Sequence, residues 1–326
     1  MDAVVAKRLQ SIEFGKLQQH RNMAVLPILA SRDGGPAYIT LAEALANGQM
    51  TVTEVGKDGS VPELQVTNDG GVAVLLLDGE ELAGAKQNRV LNTSILLAAN
   101  SKTIIPVSCT EQGRWHGDPP ALFDSRVVMS PALRARKVRS VTESLDAGRR
   151  YRSDQAEVWG GVNELSFRAR VPSATGAMRD VFQARESDLE TYLQAFVSVE
   201  QQVGLLVLVD GEVVGFDLLS RAEAYARLHG KLVKSYAMEA LLSGGKGAGQ
   251  PSLETAKAFV REVSACEEKR HESVGKGWDC RYRGPKLVGS ALVCDEAVVH
   301  TAFFRVDDGD GADRIASARR RSGYRV

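Results

Sequence analysis

The chain has 326 residues, of which 44% are hydrophobic and 25% are charged, a composition typical of a soluble globular protein with a sizeable core. Its 41 basic and 41 acidic side chains give a net charge of zero, so the whole chain has no electrostatic attraction to nucleic acid or to an anionic membrane. The apolar runs are all shorter than the roughly 18 residues of a membrane-spanning helix, so the sequence predicts no such helix.

The cysteines and the N-terminal segment indicate the cellular compartment. The four cysteines are widely spaced and form no Cys-x-x-Cys pair, which excludes a zinc ribbon and a thioredoxin motif. The five histidines show no metal-ligand spacing, so there is no zinc motif and the cofactor stays unknown. Residues 1–15 lack the apolar core of a signal peptide. We therefore expect reduced cysteines and a cytoplasmic protein.

The N-terminal part of the chain predicts short helices and strands. Helical spacing of apolar residues predicts a helix over 1–15, and the apolar run 23–30 predicts a strand. Thr40 to Glu43 has the Thr-x-x-Glu order of a capping box, which predicts the start of a short helix. Alternation over 50–55 and the run 64–67 predict two further strands.

The stretch 71–115 combines apolar strands with clustered polar side chains. The uninterrupted run Val72 to Leu77 predicts a strand buried on both faces, and Asp78-Gly79 is a common two-residue hairpin turn. Further apolar runs follow at 95–99 and 103–109. Polar residues lie between and after these runs: Glu80, Glu81, Lys86, Gln87, Asn88 and Arg89, then Glu111, Arg114, Trp115 and His116. If the strands share an end, the two polar groups meet above the sheet, where loops tend to carry function.

The next segment, 119–170, is polar, rich in arginine and mostly helical in pattern, with a capping box from Ser140 to Glu143. Between Arg126 and Arg152, eight lysines and arginines face two acids, a net charge of plus six. This basic segment is a candidate anion-binding patch. A solvated helical face, balanced by acids from elsewhere, explains the same pattern.

The second half of the chain contains a strong hairpin pattern. Apolar runs at 203–209 and 212–219 flank Asp210-Gly211. Because Asp78-Gly79 has the same form, the chain contains either two related sheet halves or one common turn used twice. Three further helices are predicted to begin at Ser187, at Ser220 with a break at Gly230, and at Ser252. Two closing strands are predicted from the apolar runs 286–294 and 297–304.

Two segments of the central stretch, LLLDGEELAGAKQNRVLNTSILL and IPVSCTEQGRW, resemble the bacterial domain family named for its association with ADP-ribosylglycohydrolases and rhodanese-phosphatase proteins. The later segments QVGLLVLVDGEVVGFDLL and KLVKSYAMEAL are similar to the same family, so the resemblance covers most of the chain. It implies an association with NAD and ADP-ribose metabolism, and therefore a nucleotide-like small-molecule ligand.

The polar residues after the first strand are candidate ligand-binding groups. A strand interior seldom carries Gln87, Asn88 and Arg89 in succession unless it lies at an end, an edge or a site. Arg89 can hold a phosphate or carboxylate through two hydrogen bonds, and the two amides can contact a base, a ribose or an oxyanion. Arg114 is a second anion contact, and Trp115 offers a stacking surface for a base. The alternative is a polar hairpin end, with the tryptophan in the core.

Glu80 and Glu111 are the candidate catalytic residues because each carboxylate directly follows a predicted strand. Either can act as a general acid or base if its pKa is tuned, and both together can bind a divalent cation. The alternative is structural, with Glu80 as a turn carboxylate and Glu111 paired with Arg114.

Together these patterns predict an α+β protein with a mixed, mostly antiparallel sheet or sheets and inserted helices. We expect one large domain over 1–306, a helical, arginine-rich insertion at about 119–200, and a flexible tail over 307–326. The leading hypothesis is a ligand-binding domain for an ADP-ribose-like or other phosphorylated nucleotide metabolite. If it is an enzyme, a hydrolase of such a derivative is expected. The alternative is a non-enzymatic structural or regulatory interaction protein, and an oligomer is compatible with either hypothesis.

Overall fold

A computed structural model describes residues 1–30, 34–56, 59–115, 121–244 and 249–306. The helices in this part of the chain are α1 (Ala3–Gln10), α2 (Leu41–Ala46), α3 (Pro131–Asp146), α4 (Gln155–Ala169), α5 (Met178–Ala184), α6 (Glu186–Ala195), α7 (Ala222–Ser243) and α8 (Leu253–Ser264). The first nine strands are β1 (Glu13–Phe14), β2 (Gln18–His20), β3 (Met23–Leu29), β4 (Tyr38–Thr40), β5 (Met50–Glu54), β6 (Glu63–Asn68), β7 (Ala73–Leu76), β8 (Glu80–Gly84) and β9 (Arg89–Leu91). The others are β10 (Ile95–Leu97), β11 (Ser101–Cys109), β12 (Ala121–Val128), β13 (Gln202–Val209), β14 (Glu212–Leu219), β15 (Glu267–Glu272), β16 (Trp278–Arg283), β17 (Leu287–Cys294) and β18 (Ala297–Arg305).

The largest sheet joins the beginning, middle and end of the chain. Its strands run in the order β1-β3-β13-β14-β18-β17-β16-β15, with β2 also paired to β3, and every pairing is antiparallel. Side chains of β13 alternate between two hydrophobic clusters. Leu205 and Val207 pack with residues of α7, whereas Leu206 and Leu208 pack with residues of α1 and α8. This strand is apolar throughout because helices cover both faces of the sheet.

A closed barrel forms the second part of the fold, with strand order β11-β6-β5-β12-β8-β9. Its interior contains one side chain from every second position, such as Val52, Leu64, Val66 and Ile105. A small sheet, β10-β7-β4, lies beside it and contains the parallel pair β4 and β7. Closure of the barrel pairs its first and last strands, whose backbone groups would otherwise remain exposed at sheet edges.

The structure confirms the predicted α+β class with mostly antiparallel sheets. It also confirms the hairpin at Asp210-Gly211, where Val209 pairs with Glu212. The prediction of a hairpin at Asp78-Gly79 is wrong, because β7 and β8 on either side belong to different sheets. The two Asp-Gly turns therefore do not mark two equivalent sheet halves.

Several helix boundaries differ from the sequence pattern. The capping box at Thr40 is present, and Ser252 caps α8. Ser140 instead lies inside α3, and Gly230 lies inside α7 without interrupting it. Residues 121–128, predicted to belong to a helical region, form β12.

The described residues contain no helix long and apolar enough to cross a bilayer. All four cysteines are buried and unpaired within the described part of the chain. Helices α3 to α6 follow one another between β12 and β13. His116 and the predicted tail 307–326 lie outside the described residues. The predicted domain boundaries stay a prediction.

Candidate functional site

The residues singled out in the sequence fall into two separate environments. The first, here called the polar cluster, consists of Glu54, Gln87, Asn88, Arg89, Glu111 and Arg114. It lies where β8 turns into β9 and where β11 ends. The structure brings these two segments together because β9 pairs with both β8 and β11. Adjacent strand ends thus place residues that are more than 20 positions apart in hydrogen-bond contact.

Glu111 is the centre of one half of the polar cluster. Its carboxylate accepts hydrogen bonds from Arg114 Nη2 at 2.7 Å, Thr175 Oγ1 at 2.8 Å and the Asn88 backbone N–H at 3.2 Å. Burial tends to raise the pKa of Glu111, but these hydrogen bonds outweigh it and hold the pKa below its usual value. Glu111 is therefore a fixed, ionised carboxylate with partners on both oxygens.

Arg114 connects the Glu111 half of the polar cluster to the barrel. Its Nη1 donates to Ala85 O at 2.6 Å, and its Nη2 donates to Asn88 Oδ1 at 3.2 Å. The guanidinium thus bridges the turn before β9 and the carboxylate of Glu111, as the structural alternative in the sequence predicts.

Arg89 is the centre of the other half and is fully buried. Its Nη1 donates to Gln87 Oε1 at 3.2 Å, and its Nη2 lies 3.6 Å from Glu54 Oε1. Its guanidinium carbon lies 5.6 Å from the ring centre of Trp115, which also receives the ammonium of Lys86 at 5.3 Å. Arg89 Nε and Nη2 have no hydrogen-bond partner of good geometry among the described residues. Trp115 is 43% exposed and covers this buried cation.

Glu80 does not join the polar cluster. Its carboxylate accepts from the Leu77 backbone N–H at 2.9 Å and from Lys231 Nζ at 2.7 Å. Lys231 also donates to Asp124 at 2.7 Å, so one ammonium serves two carboxylates. Burial raises the pKa of Glu80, and the ammonium of Lys231 opposes that shift. Among the described residues, the two predicted catalytic carboxylates therefore have different hydrogen-bond partners.

Sequence reasoning missed a buried charge network at the junction of the sheet and the barrel. Arg134 from α3 makes two hydrogen bonds to Asp217 of β14, at 2.9 and 2.7 Å, and lies 3.3 Å from Asp78. Lys137, one turn further along α3, also pairs with Asp78. Burial alone would raise the pKa of Asp217, but Arg134 and His300 hold it well below its usual range. The signal available in the sequence was a polar residue inside an apolar run, as Asp217 and His300 both are.

Ser94, His300 and Asp217 form a line within this network. The Ser94 hydroxyl lies 2.8 Å from His300 Nδ1, and His300 Nε2 lies 3.1 Å from Asp217 Oδ1. This is the order of groups found in serine hydrolases. However, the three side chains are 4%, 1% and 0% exposed, and Ser94 also accepts from the Asp78 backbone N–H. A substrate has no access to this hydroxyl, so the line is a structural connection between the barrel and the sheet.

A second branch of the network extends from Thr93. Its hydroxyl contacts Asp279 Oδ2 at 2.6 Å and Arg281 Nη2 at 2.7 Å. The guanidinium of Arg281 lies behind the ring of Tyr151, 5.5 Å from its centre. Tyr151 also lines a surface cleft.

That cleft, here called the arginine cleft, has a volume of about 760 Å³. It lies between β11, the loop from α3 to α4 and the segment after β15. Its lining contains Pro62, Glu63, Ile104, Ile105, Pro106, Leu145, Gly148, Arg149, Arg150, Tyr151, Arg152, His271, Glu272, Ser273 and Val274. Arg149, Arg150 and Arg152 are exposed. Part of the predicted basic segment therefore borders a concavity large enough for a small-molecule ligand.

Hydrogen bonds fix the loop that carries these arginines. Asn92 Nδ2 donates to Tyr151 O at 2.9 Å, and Tyr151 Oη donates to Glu272 O at 2.6 Å. Ser108 joins Asn92 to the loop residue Ser153 through its hydroxyl. The loop is therefore anchored to the residue after β9 and to strands β11 and β15.

The family model described as the ARG and Rhodanese-Phosphatase-superfamily-associated Protein domain, ARPP-1, matches residues 11–304. That span includes the polar cluster, the buried charge network and the arginine cleft. No curated protein and no solved structure matches the chain.

Proposed function

This chain belongs to the ARPP-1 domain family, and from that premise we propose that it binds a phosphorylated, nucleotide-like ligand of the ADP-ribose class in the arginine cleft. The observation that carries the proposal is the concentration of three arginines around one cavity of suitable size. Arginine suits this role because its planar guanidinium can donate two parallel hydrogen bonds to a phosphate.

The electrostatics of the cleft favour an anion. The lining has three permanently charged guanidinium groups against two carboxylates, Glu63 and Glu272. A diphosphate would engage the arginine side of the cleft. The two carboxylates would then lie within the same cavity as acceptors for ribose hydroxyls or as ligands for a magnesium ion.

The remaining walls suit the uncharged part of a nucleotide. Ile104 is 43% exposed, and Pro106 and Val274 add apolar surface beside the ring of Tyr151. Apolar and aromatic walls with a few placed polar groups are typical of small-molecule sites. If the bound ligand is hydrolysed, Glu63 and Glu272 are the carboxylates placed to activate water, rather than Glu80 and Glu111.

The alternative is a non-enzymatic interaction or structural role for the polar cluster. The observation that favours it is pairing within the polar cluster: Glu111 contacts Arg114, and Arg89 Nη2 lies 3.6 Å from Glu54 Oε1. Four charged side chains converging on one open cleft would have favoured a catalytic site. The polar cluster supports the barrel, and the ligand-binding proposal therefore depends on the arginine cleft.

A thermal-shift panel tests the proposal. The purified protein is heated with ADP-ribose, NAD, AMP, ribose 5-phosphate or inorganic phosphate, each with and without magnesium. A specific ligand at one hundred times its Kd adds about 2.7 kcal/mol of stability, which corresponds to a rise in Tm of roughly 4 °C for a chain of this size. A shift with ADP-ribose that exceeds the shift with phosphate supports the proposal. No shift with any of the five compounds overturns it and favours the interaction role. Product analysis by chromatography on the ligand that binds shows whether turnover follows.

A further inference from the structure

A group of possible metal ligands lies at the β15–β16 edge of the large sheet, on the face that α1 and α8 cover. One ligand atom each from Asp2, Glu268 and Cys280 lies within 4.8 Å of the others. Glu268 belongs to β15 and Cys280 to β16, while Asp2 directly precedes α1. The three residues are far apart in the sequence, so motif spacing gives no indication of this group. Asp2 also lies outside the span that the family model matches.

A fourth possible ligand atom, the hydroxyl oxygen of Tyr282, lies beside Glu268 and Cys280. Tyr282, which follows Cys280 on the same face of β16, is 1% exposed, and its hydroxyl has no hydrogen-bond partner of good geometry among the described residues. A buried hydroxyl without a partner is costly, and a ligand at this point would remove that cost.

The two carboxylates are already held in position by the backbone. Asp2 Oδ1 accepts from the Val4 backbone N–H at 2.9 Å, and the Asp2 backbone N–H donates to Glu268 Oε2. Each carboxylate therefore has one oxygen fixed by a backbone amide, and the second oxygen of Asp2 accepts from Arg270 Nη1 at 3.4 Å. Hydrogen bonds of this kind orient the ligands of natural metal sites.

From this arrangement we propose that Cys280, Glu268 and Asp2 bind one zinc ion, with Tyr282 or a water molecule as the fourth ligand. The thiolate selects zinc over magnesium or calcium, which prefer all-oxygen sites. In a tetrahedral zinc site the ligand atoms lie about 3.5 Å apart, so the side chains need to move by roughly 1 Å. Three negative ligands exceed the ion's charge by one, and Arg270 Nη1, 3.4 Å from Asp2 Oδ2, lies where it can offset the excess. Binding releases the thiol proton to solvent and tethers α1 to the sheet edge.

Titration of the full chain with cobalt and zinc tests this proposal. The protein is prepared without a polyhistidine tag or any N-terminal extension, and metal is first removed with a chelator. We expect one equivalent of cobalt to produce a sulfur-to-cobalt charge-transfer band, and one equivalent of zinc to displace it. Failure of the wild-type protein to bind either ion stoichiometrically overturns the proposal.

Matched variants assign the ligands. Cys280→Ser should abolish the charge-transfer band, whereas Cys266→Ser, which removes another buried thiol near the same strands, should retain it. Glu268→Gln should raise the zinc Kd at least tenfold, while Glu267→Gln at the preceding exposed position should leave it within twofold. A band that persists in Cys280→Ser, or equal zinc affinity in the two glutamate variants, contradicts the assignment. The glutamate pair also gives an answer if Cys280→Ser fails to fold.

Discussion

Arg134 and Asp217 form a bidentate ion pair in which neither side chain has any solvent exposure. The pair joins α3 to β14, and the additional contact to Asp78 extends it to the turn between β7 and β8. Buried charges are tolerated only when they are paired and hydrogen-bonded. This pair therefore fixes how α3 packs between the large sheet and the barrel.

Arg134→Met should lower the free energy of unfolding by about 3 to 5 kcal/mol, because it leaves Asp217 buried without its guanidinium partner. The matched control is Arg136→Met on the same helix, where the ion pair with Glu164 is partly exposed. That control should cost less than about 1 kcal/mol. Urea denaturation followed by circular dichroism measures both. Equal losses in the two variants would show that the buried pair has no special role.

Glu81→Gln should change how stability depends on pH. Burial raises the pKa of Glu81 from 4.5 to about 7, against the Thr110 hydrogen bond at 2.6 Å. The folded state thus holds a proton that the unfolded state releases, and stability falls as pH rises from 4.5 to 7. Glutamine removes this loss. The free energy of unfolding of the variant, relative to wild type, should therefore be higher at pH 8 than at pH 4 by up to about 3 kcal/mol. Urea unfolding at both pH values tests it, with exposed Glu212→Gln as the control. A parallel pH dependence in Glu81→Gln and wild type would refute the prediction.

Lys231→Met should be destabilising because Glu80 and Asp124 then share no cation. We expect a loss of about 3 kcal/mol at pH 8, where both carboxylates are charged in the unfolded chain. Adding Glu80→Gln to the same protein should recover part of that loss, since the double variant leaves no charge at the more buried position. The double-mutant cycle is measured by urea denaturation. If the double variant is no more stable than Lys231→Met, Glu80 and Lys231 are not energetically coupled.

Asn92→Ala should loosen the loop that carries the arginines of the cleft. The substitution removes the bond to Tyr151 O and the acceptor for Ser108. Trypsin cleaves after arginine, so limited digestion should cut after Arg149 or Arg150 several-fold faster than in wild type. Asn163→Ala, at an exposed position of α4, is the control and should digest like wild type. Unchanged cleavage in Asn92→Ala would mean that other contacts hold the loop.

The strands buried on both faces could be predicted from the sequence because their apolar runs are continuous, as in β13 and β17. Strand β12 could not, since Phe123 and Arg126 are exposed and its pattern is mixed. The edge strand β15 and its neighbour β16 carry many charges and resemble loops in composition. Serine and glutamate at capping-box spacing also occur inside α3, where tertiary packing decides the boundary.

The contacts among Asn88, Glu111 and Arg114 could be anticipated because they depend on neighbouring strand ends. The contacts of Arg134 could not be, because its two acidic partners come from segments far apart in the chain. A basic residue on a helix usually faces water, and nothing local in the sequence distinguishes Arg134 from the exposed Arg149. Only the assembled fold separates the buried arginines from those that line the cleft.

The most direct test of the central claim is the calorimetric affinity for ADP-ribose of wild type, Arg150→Ala and Arg126→Ala. Both arginines are exposed, belong to the same basic segment and have a left-handed backbone, with φ of 60° and 63°, but only Arg150 lines the cleft. The two substitutions therefore match in charge and in backbone cost. The account predicts that Arg150→Ala weakens binding by roughly ten- to one-hundredfold, as for the loss of a charge-assisted hydrogen bond, and that Arg126→Ala changes it by less than twofold. Equal affinities in the two variants would contradict ligand binding in the arginine cleft.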